Sequence, residues 1–143
     1  MLLSMLVFLA TVLPAPTGYE SAVARVPSRH WALVTSAHID RDSGGQARRR
    51  TMSIHLTPYN ATGRGDAQLV HEVGHIVYYA HPEIESDWRA RFGKQRSKNE
   101  ASELFADTYT EVVMTGCAER RTLERFLRER VFRSSEYPCR DAS

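Results

Sequence analysis

His71-Glu72-Val73-Gly74-His75 lies in a segment whose apolar residues recur at helical spacing. Residues four apart lie one above the other on a helix face, so both imidazole rings would point to the same side. Both histidines fall outside the apolar stripe, as groups that face a cleft should. The segment therefore predicts an amphipathic helix that ends before Pro82. The stripe consists of Leu69, Val73, Ile76, Val77 and Ala80.

These five residues also form the pattern H-E-x-x-H, which has a chemical meaning on a helix. Two imidazole nitrogens can bind one Zn²⁺, and the glutamate can take a proton from a water molecule at the metal. The sequence therefore predicts His71 and His75 as zinc ligands and Glu72 as the general base. A donor for the developing oxyanion is also expected. The candidates for it are Tyr78, Tyr79, Tyr109, His55 and Tyr137.

A third protein ligand must come from elsewhere, because catalytic zinc sites use three protein ligands and keep one position open. Glu103 is the predicted ligand, in the stretch Glu103-Leu104-Phe105-Ala106-Asp107. Asp107 lies one turn later on the same face, where it can accept the free N–H of a metal-bound histidine. Glu100 is a competing candidate, but only Glu103 has an acid four positions later.

The two motifs together resemble those of the gluzincin metallopeptidases, the thermolysin-like branch of the zincins. The second motif also resembles the corresponding segment of lethal-factor-type catalytic domains and of small single-domain gluzincins. The resemblance covers roughly Thr51 to Val113. It implies a zinc-dependent peptidase with the ligands, the base and the Asp107 contact given above. It also implies that Thr51–Thr57 is an edge strand that pairs with an extended peptide substrate.

His81 offers another way to complete the site. His71, His75 and His81 have the ligand spacing of the metzincin pattern H-E-x-x-H-x-x-G-x-x-H. The glycine of that pattern is Tyr78 here, and tyrosine tolerates a positive φ poorly. We therefore expect His81 to be a cation at the C-terminal end of the helix, and keep a metzincin-like peptidase as an alternative.

A non-enzymatic function is the second alternative. The chain would then be an exported zinc-binding protein whose metal is enclosed by four protein ligands, with His81 or Glu100 as the fourth. Such a site does not need the glutamate of the motif. The presence of Glu72 therefore favours hydrolysis.

The order of the predicted elements indicates an α+β, zincin-like domain in which a short sheet precedes the helices. Strands are predicted at Trp31–Thr35 and Thr51–Thr57, with a turn at Asp42–Gly45. Three helices should follow the motif helix. Their predicted bounds are Pro82–Phe92, Lys98–Thr115 with Ser97 as N-cap and Gly116 as C-cap, and Glu119–Arg133.

Length and charge set the remaining limits. A chain of 143 residues that is 42% hydrophobic and 25% charged is typical of one globular domain. Its 19 basic residues are interleaved with 17 acidic ones, which indicates a solvated surface and no nucleic-acid partner. The expected partner is a peptide or protein substrate, and the sequence predicts no oligomeric state.

The N-terminus and the cysteines both indicate export. Residues 2–13 form an apolar run of signal-peptide length, although no Lys or Arg precedes it. Cleavage after Ala22-Val23-Ala24 would leave a single domain of residues 25–143; an uncleaved segment would instead anchor the protein to a membrane. Cys117 and Cys139 are the only cysteines, and we predict that they form a disulfide in a secreted or otherwise exported protein.

Overall fold

The protein has a mixed α+β fold, as the sequence predicts. Its structure, a computed structural model, describes residues 12–42 and 44–139. Within these residues, six helices accompany one three-stranded sheet. The helices are α1 (Glu20–Arg25), α2 (Ser28–Trp31), α3 (Asp66–Ala80), α4 (Pro82–Phe92), α5 (Lys98–Thr115) and α6 (Arg121–Arg130), and the strands are β1 (Ser36–Ile39), β2 (Gln46–Arg48) and β3 (Ser53–Leu56).

The helices after the motif follow their sequence signals. α4 and α5 have the predicted bounds, whereas α6 is shorter at both ends than the predicted Glu119–Arg133. The Ser97 hydroxyl accepts a hydrogen bond from the Glu100 N–H at 3.1 Å, and the Glu100 carboxylate accepts one from the Ser97 N–H at 2.7 Å. This reciprocal capping box fixes the start of α5. Gly116 is its C-cap, as predicted.

The predicted strand Thr51–Thr57 is present as β3, but its predicted place at the edge of the sheet is wrong. β1 pairs with β3 in parallel and β2 pairs with it antiparallel, so β3 is the central strand. Ile54 and Leu56 of β3 are fully buried. The strand that packs against α3 at the edge of the sheet is β2.

The predicted strand Trp31–Thr35 is wrong. α2 ends at Trp31, and the N–H groups of Leu33 and Val34 donate to the carbonyls of His30 and Trp31 at 3.1 and 3.0 Å. These bonds make a helical turn, which satisfies the backbone locally and buries Trp31 and Val34 without a strand. The strand β1 begins only after this turn.

Aromatic side chains join the later helices into one core. The Trp88 ring lies edge-to-face with Phe105 and Phe126, with centroids 5.1 and 5.2 Å apart. The Trp88 indole N–H donates to the Ala101 carbonyl at 2.9 Å. α4 and α6 thus hold α5 in a fixed position.

A buried polar network fixes the start of α3. The Gln68 amide nitrogen donates to the Thr57 hydroxyl at 2.8 Å. The Tyr19 hydroxyl lies 2.7 Å from the Thr57 carbonyl oxygen and 2.5 Å from Gln68 Oε1. Because all three residues are buried, this network ties the segment before α1, the end of β3 and the first turn of α3 together.

The N-terminal segment is part of this packing. Of the predicted apolar run, residues 1–11 lie outside the described residues. The Trp31 indole N–H donates to the Leu13 carbonyl at 2.7 Å, and Tyr19 and Ala22 are fully buried. Cleavage after Ala24 would therefore remove two core residues, and the division into residues 1–24 and 25–143 stays a prediction.

The C-terminal segment is held by one covalent bond and one ion pair. Cys117 and Cys139 form the predicted disulfide, which is compatible with an exported protein. Arg29 donates to both carboxylate oxygens of Glu136, at 2.5 and 2.7 Å, and this pair lowers the pKa of Glu136 to about 2. Among the described helices, none has the length and apolar character required to span a bilayer.

Candidate metal centre

Two imidazole rings lie one turn apart on α3. The ring centroids of His71 and His75 are 4.8 Å apart, and their Nε2 atoms are 3.1 Å apart. The apolar stripe of α3 is buried on the opposite side, with Leu69, Val73 and Ile76 fully enclosed. The packing of the helix therefore aims both rings at the same point.

α5 approaches α3 closely because of one glycine. A Cβ on Gly74 would lie 3.1 Å from the Cα of Ala106 and 3.2 Å from the Cδ1 of Tyr109. Both distances are tighter than ordinary carbon contacts, so a side chain at this position would require α5 to shift by a few tenths of an ångström. Glu103 lies one turn before Ala106, and the close approach brings its carboxylate to the two histidines.

The three predicted ligands meet. Glu103 Oε2 lies 3.2 Å from His71 Nε2, and Glu103 Oε1 lies 3.2 Å from His75 Nε2. Ligands at 2.0–2.2 Å from a tetrahedral zinc stand about 3.3–3.6 Å from one another. The observed distances are close to this spacing. In the described part of the chain, these three residues form the group that could hold a metal ion.

Two further residues fix the orientation of the rings. His71 Nδ1 lies 3.1 Å from Asp107 Oδ1, and His75 Nδ1 lies 2.7 Å from the Ser102 hydroxyl. With Nδ1 protonated, each Nε2 presents a lone pair to the Glu103 carboxylate. Acceptors this close repel one another unless a proton or a cation lies among them. Burial, together with the neighbouring His71, lowers the pKa of His75 to about 4, which keeps this ring in the neutral form that binds metals.

Glu72 is buried beside this group, with 4% of the residue exposed. Burial raises the pKa of its carboxyl to about 7, and the nearby Glu103 carboxylate adds to the rise. The backbone N–H of Ala47 and the charge of Arg64 act in the opposite direction. A Cβ on Gly45, whose φ is +88°, would lie 2.9 Å from Glu72 Oε1. The edge strand β2 and the residue before it therefore enclose this carboxylate tightly.

An open cleft of about 450 Å³ gives access to the group. β2 forms one wall, and the N-terminal half of α5 contributes to another. Arg64 and Asn99 also line the cleft. Neither was predicted as a site residue, because Arg64 lies in a loop and Asn99 lies in the first turn of α5. The lining residues include Gly45, Gln46, Ala47, Arg64, Glu72, Tyr79 and Asn99, besides the three candidate ligands and Asp107.

The two competing ligands lie elsewhere. The Glu100 carboxylate caps its own helix at Ser97 and lines a different surface pocket. His81 is the C-cap of α3, as expected, and its Nδ1 lies 3.4 Å from Glu83 Oε1. It lines a cavity with Val77 and Ile84, away from the cleft. Neither residue belongs to the group of candidate ligands.

Of the five candidate oxyanion donors, Tyr79 is the one that lines the cleft. Its ring stacks on that of His75, with centroids 5.8 Å apart. The Tyr109 hydroxyl is fully buried and bonded to His30, while the Tyr137 hydroxyl donates to the Arg25 carbonyl. His55 stacks on His38 in the sheet, and Tyr78 is buried behind Tyr79.

Comparison of the chain with protein-family models, with characterised proteins and with solved structures gave no match. The resemblance carried by the two motifs therefore stays a prediction. The function has to be argued from the arrangement of the residues themselves.

We predict that Gly74→Ala lowers the free energy of unfolding by about 1–3 kcal/mol, because overpacking at the α3–α5 contact outweighs the better helix propensity of alanine. Urea unfolding followed by circular dichroism would measure this. Arg125→Ala, at an exposed position of α6, is the control and should change stability by less than about 0.5 kcal/mol. Unchanged or higher stability of Gly74→Ala would contradict the tight approach of the two helices.

Proposed function

We propose that this protein is a zinc-dependent peptidase of the gluzincin type, with His71, His75 and Glu103 as its metal ligands. The observation that carries the proposal is the meeting of two imidazole nitrogens and one carboxylate, 3.1–3.2 Å apart, beside a buried glutamate. A mixed set of imidazole and carboxylate ligands suits Zn²⁺. Three protein ligands leave one coordination position for catalysis.

The positions of the competing residues support an open site. Glu100 and His81 are the residues that the sequence offers as a fourth ligand, and both are engaged away from the cleft. A closed, four-ligand site of the storage or structural kind therefore lacks the residues expected to complete it. Glu103, rather than His81, is the third ligand of the proposed peptidase.

The cleft residues fit the steps of peptide hydrolysis. Bound Zn²⁺ would polarise the scissile carbonyl and make a water molecule acidic enough to attack it near neutral pH. Glu72 would accept the proton of that water and deliver it to the leaving amine. Asp107 and Ser102 would keep the two rings in the tautomer that binds metal. Tyr79 lines the cleft where it can donate to the developing oxyanion.

β2 is the proposed strand for substrate pairing. It forms the edge of the sheet beside the cleft, whereas β3 is flanked on both sides. An extended peptide that adds to this edge would place its backbone next to Glu72. The role that the sequence assigned to Thr51–Thr57 thus passes to Gln46–Arg48. The disulfide supports the further proposal that the enzyme acts outside the cytoplasm.

We predict that the protein binds one Zn²⁺ and that alanine at His71, His75 or Glu103 removes this binding. Asp107→Ala should weaken it by about 10- to 100-fold, because the histidine loses the acceptor that orients its ring. Competition with a chromogenic chelator would measure the affinities. Glu100→Gln, which keeps a side chain that can cap Ser97, and His81→Ala are the controls and should bind zinc as the wild type does. Normal binding by Glu103→Ala together with its loss in His81→Ala would overturn the ligand assignment.

We predict that the zinc-loaded protein cleaves peptides in a mixed library and that a chelator stops the cleavage. Glu72→Gln should still bind the metal, and its cleavage rate should fall by about 10²- to 10⁴-fold, because the proton acceptor is gone. Mass spectrometry of the digest gives the readout. Glu129→Gln, an exposed position on α6, is the matched control. If the zinc-loaded wild type cleaves nothing, the non-enzymatic zinc-binding function becomes the better account.

A further inference from the structure

A second cavity of about 380 Å³ lies next to the cleft, and we call it the side pocket. Tyr79 and Asn99 line both the side pocket and the cleft. Ser102, which contacts His75 Nδ1, also lines the side pocket. The side pocket therefore adjoins the cleft in which the substrate of the proposed peptidase would lie. Its remaining lining residues are Arg49, Tyr78, Glu85 and Lys98.

One buried group of the side pocket has no bonding partner. Tyr78 is 1% exposed, and its hydroxyl makes no hydrogen bond within the described residues. Buried hydroxyl groups are normally bonded, so an unbonded one in a residue that lines a cavity calls for a partner, and a ligand group that enters the cavity would supply one. Burial raises the pKa of this phenol to about 12, so the group stays protonated and can donate. The hydroxyl is suited to an incoming hydrogen-bond acceptor.

The charges of the side pocket favour an anion. Arg49 lies over the Tyr79 ring at 4.7 Å and pairs with Glu85 at 2.5 Å. Lys98 lies on the first turn of α5 and has no ion-pair partner within residues 12–42 and 44–139. The single acid is thus already neutralised, and one positive charge remains. This net positive charge would repel a positively charged side chain and attract a carboxylate.

We propose that the side pocket binds an acidic side chain, that of a glutamate residue adjacent to the scissile bond of the peptide substrate. This inference rests on the proposed peptidase function. Lys98 supplies the positive charge, and the Tyr78 hydroxyl supplies a hydrogen bond. The hydroxyl is covered, so the carboxylate reaches it by displacing part of the wall. Arg49 stays paired with Glu85, because an unpaired Glu85 would repel the incoming carboxylate.

The first test measures binding without catalysis. The full chain is titrated with the N-acetyl amides of glutamate, glutamine and lysine, with and without zinc, and backbone amide shifts are followed by NMR. The glutamate probe should bind about tenfold more tightly than the glutamine probe, as a charge-assisted contact requires. The shifts should centre on Tyr78, Tyr79, Lys98 and Asn99. Equal binding of the two probes, preference for lysine, or binding that needs zinc would overturn the proposal.

The chain offers a matched pair of lysines for the second test, since Lys94 and Lys98 are its only two. Lys98→Gln should abolish the preference for glutamate, while Lys94→Gln should keep it. Tyr78→Phe should weaken glutamate binding without lowering the thermal unfolding midpoint, because the hydroxyl has no partner in the fold. If Tyr78→Phe and Lys98→Gln both bind glutamate as the wild type does, the side pocket is not the acid-binding site.

The two proposals fail separately. In the peptide library, cleavage should favour glutamate over glutamine at one position beside the scissile bond, and Lys98→Gln should remove that preference. Cleavage with no acidic preference contradicts the side-pocket proposal and leaves the peptidase intact. Binding of the glutamate probe in the side pocket by a protein that cleaves nothing supports the pocket and contradicts the peptidase.

Discussion

The close contact between α3 and α5 at Gly74 is the constraint on which the candidate site depends. One helix carries both imidazoles and the other carries the carboxylate, so their separation decides whether three ligand atoms meet. A Cβ in this contact would already press on the backbone of Ala106. The aromatic packing of Trp88 with Phe105 and Phe126 holds α5 from the opposite side. The packing of the core therefore sets the distances between the candidate ligands in this small domain.

The polar groups around the site are arranged to keep acceptors facing inward. Asp107 and Ser102 lie 3.1 and 2.7 Å from the outer nitrogens of the two rings. When these outer nitrogens carry the protons, the inner nitrogens present lone pairs toward Glu103. Burying Glu72 next to these groups is unfavourable for a carboxylate, and the rise of its pKa reflects this. The residues before and within β2 enclose the Glu72 carboxylate at short range. Such an accumulation of acceptors is what a cation site requires, and a structural core would avoid it.

The sequence predicted the helices from α3 onward well, because their signals are local, whereas α1 and α2 were not predicted. The apolar stripe of α3, the Ser97 cap and the Gly116 cap are short-range patterns. Helical spacing pairs Glu103 with Asp107 on one face, and this second acid is what favoured Glu103 over Glu100. The sheet was harder to predict. β1 and β2 are short and show no clear alternation, and their order around β3 depends on contacts far apart in the chain. The apolar residues Trp31 and Val34 suggested a strand, yet a helical turn buries them equally well. The position of Arg64 in the cleft wall and the contact of Ser102 with His75 become visible only in the packed structure.

The proposed function depends most on whether His71, His75 and Glu103 together bind one zinc ion. Anomalous diffraction above the zinc edge, from crystals of the full chain grown with zinc, tests it most directly. We predict one strong peak about 2.0–2.2 Å from His71 Nε2, His75 Nε2 and a Glu103 oxygen. A peak coordinated by His81 or Glu100, or no peak between α3 and α5, would contradict it.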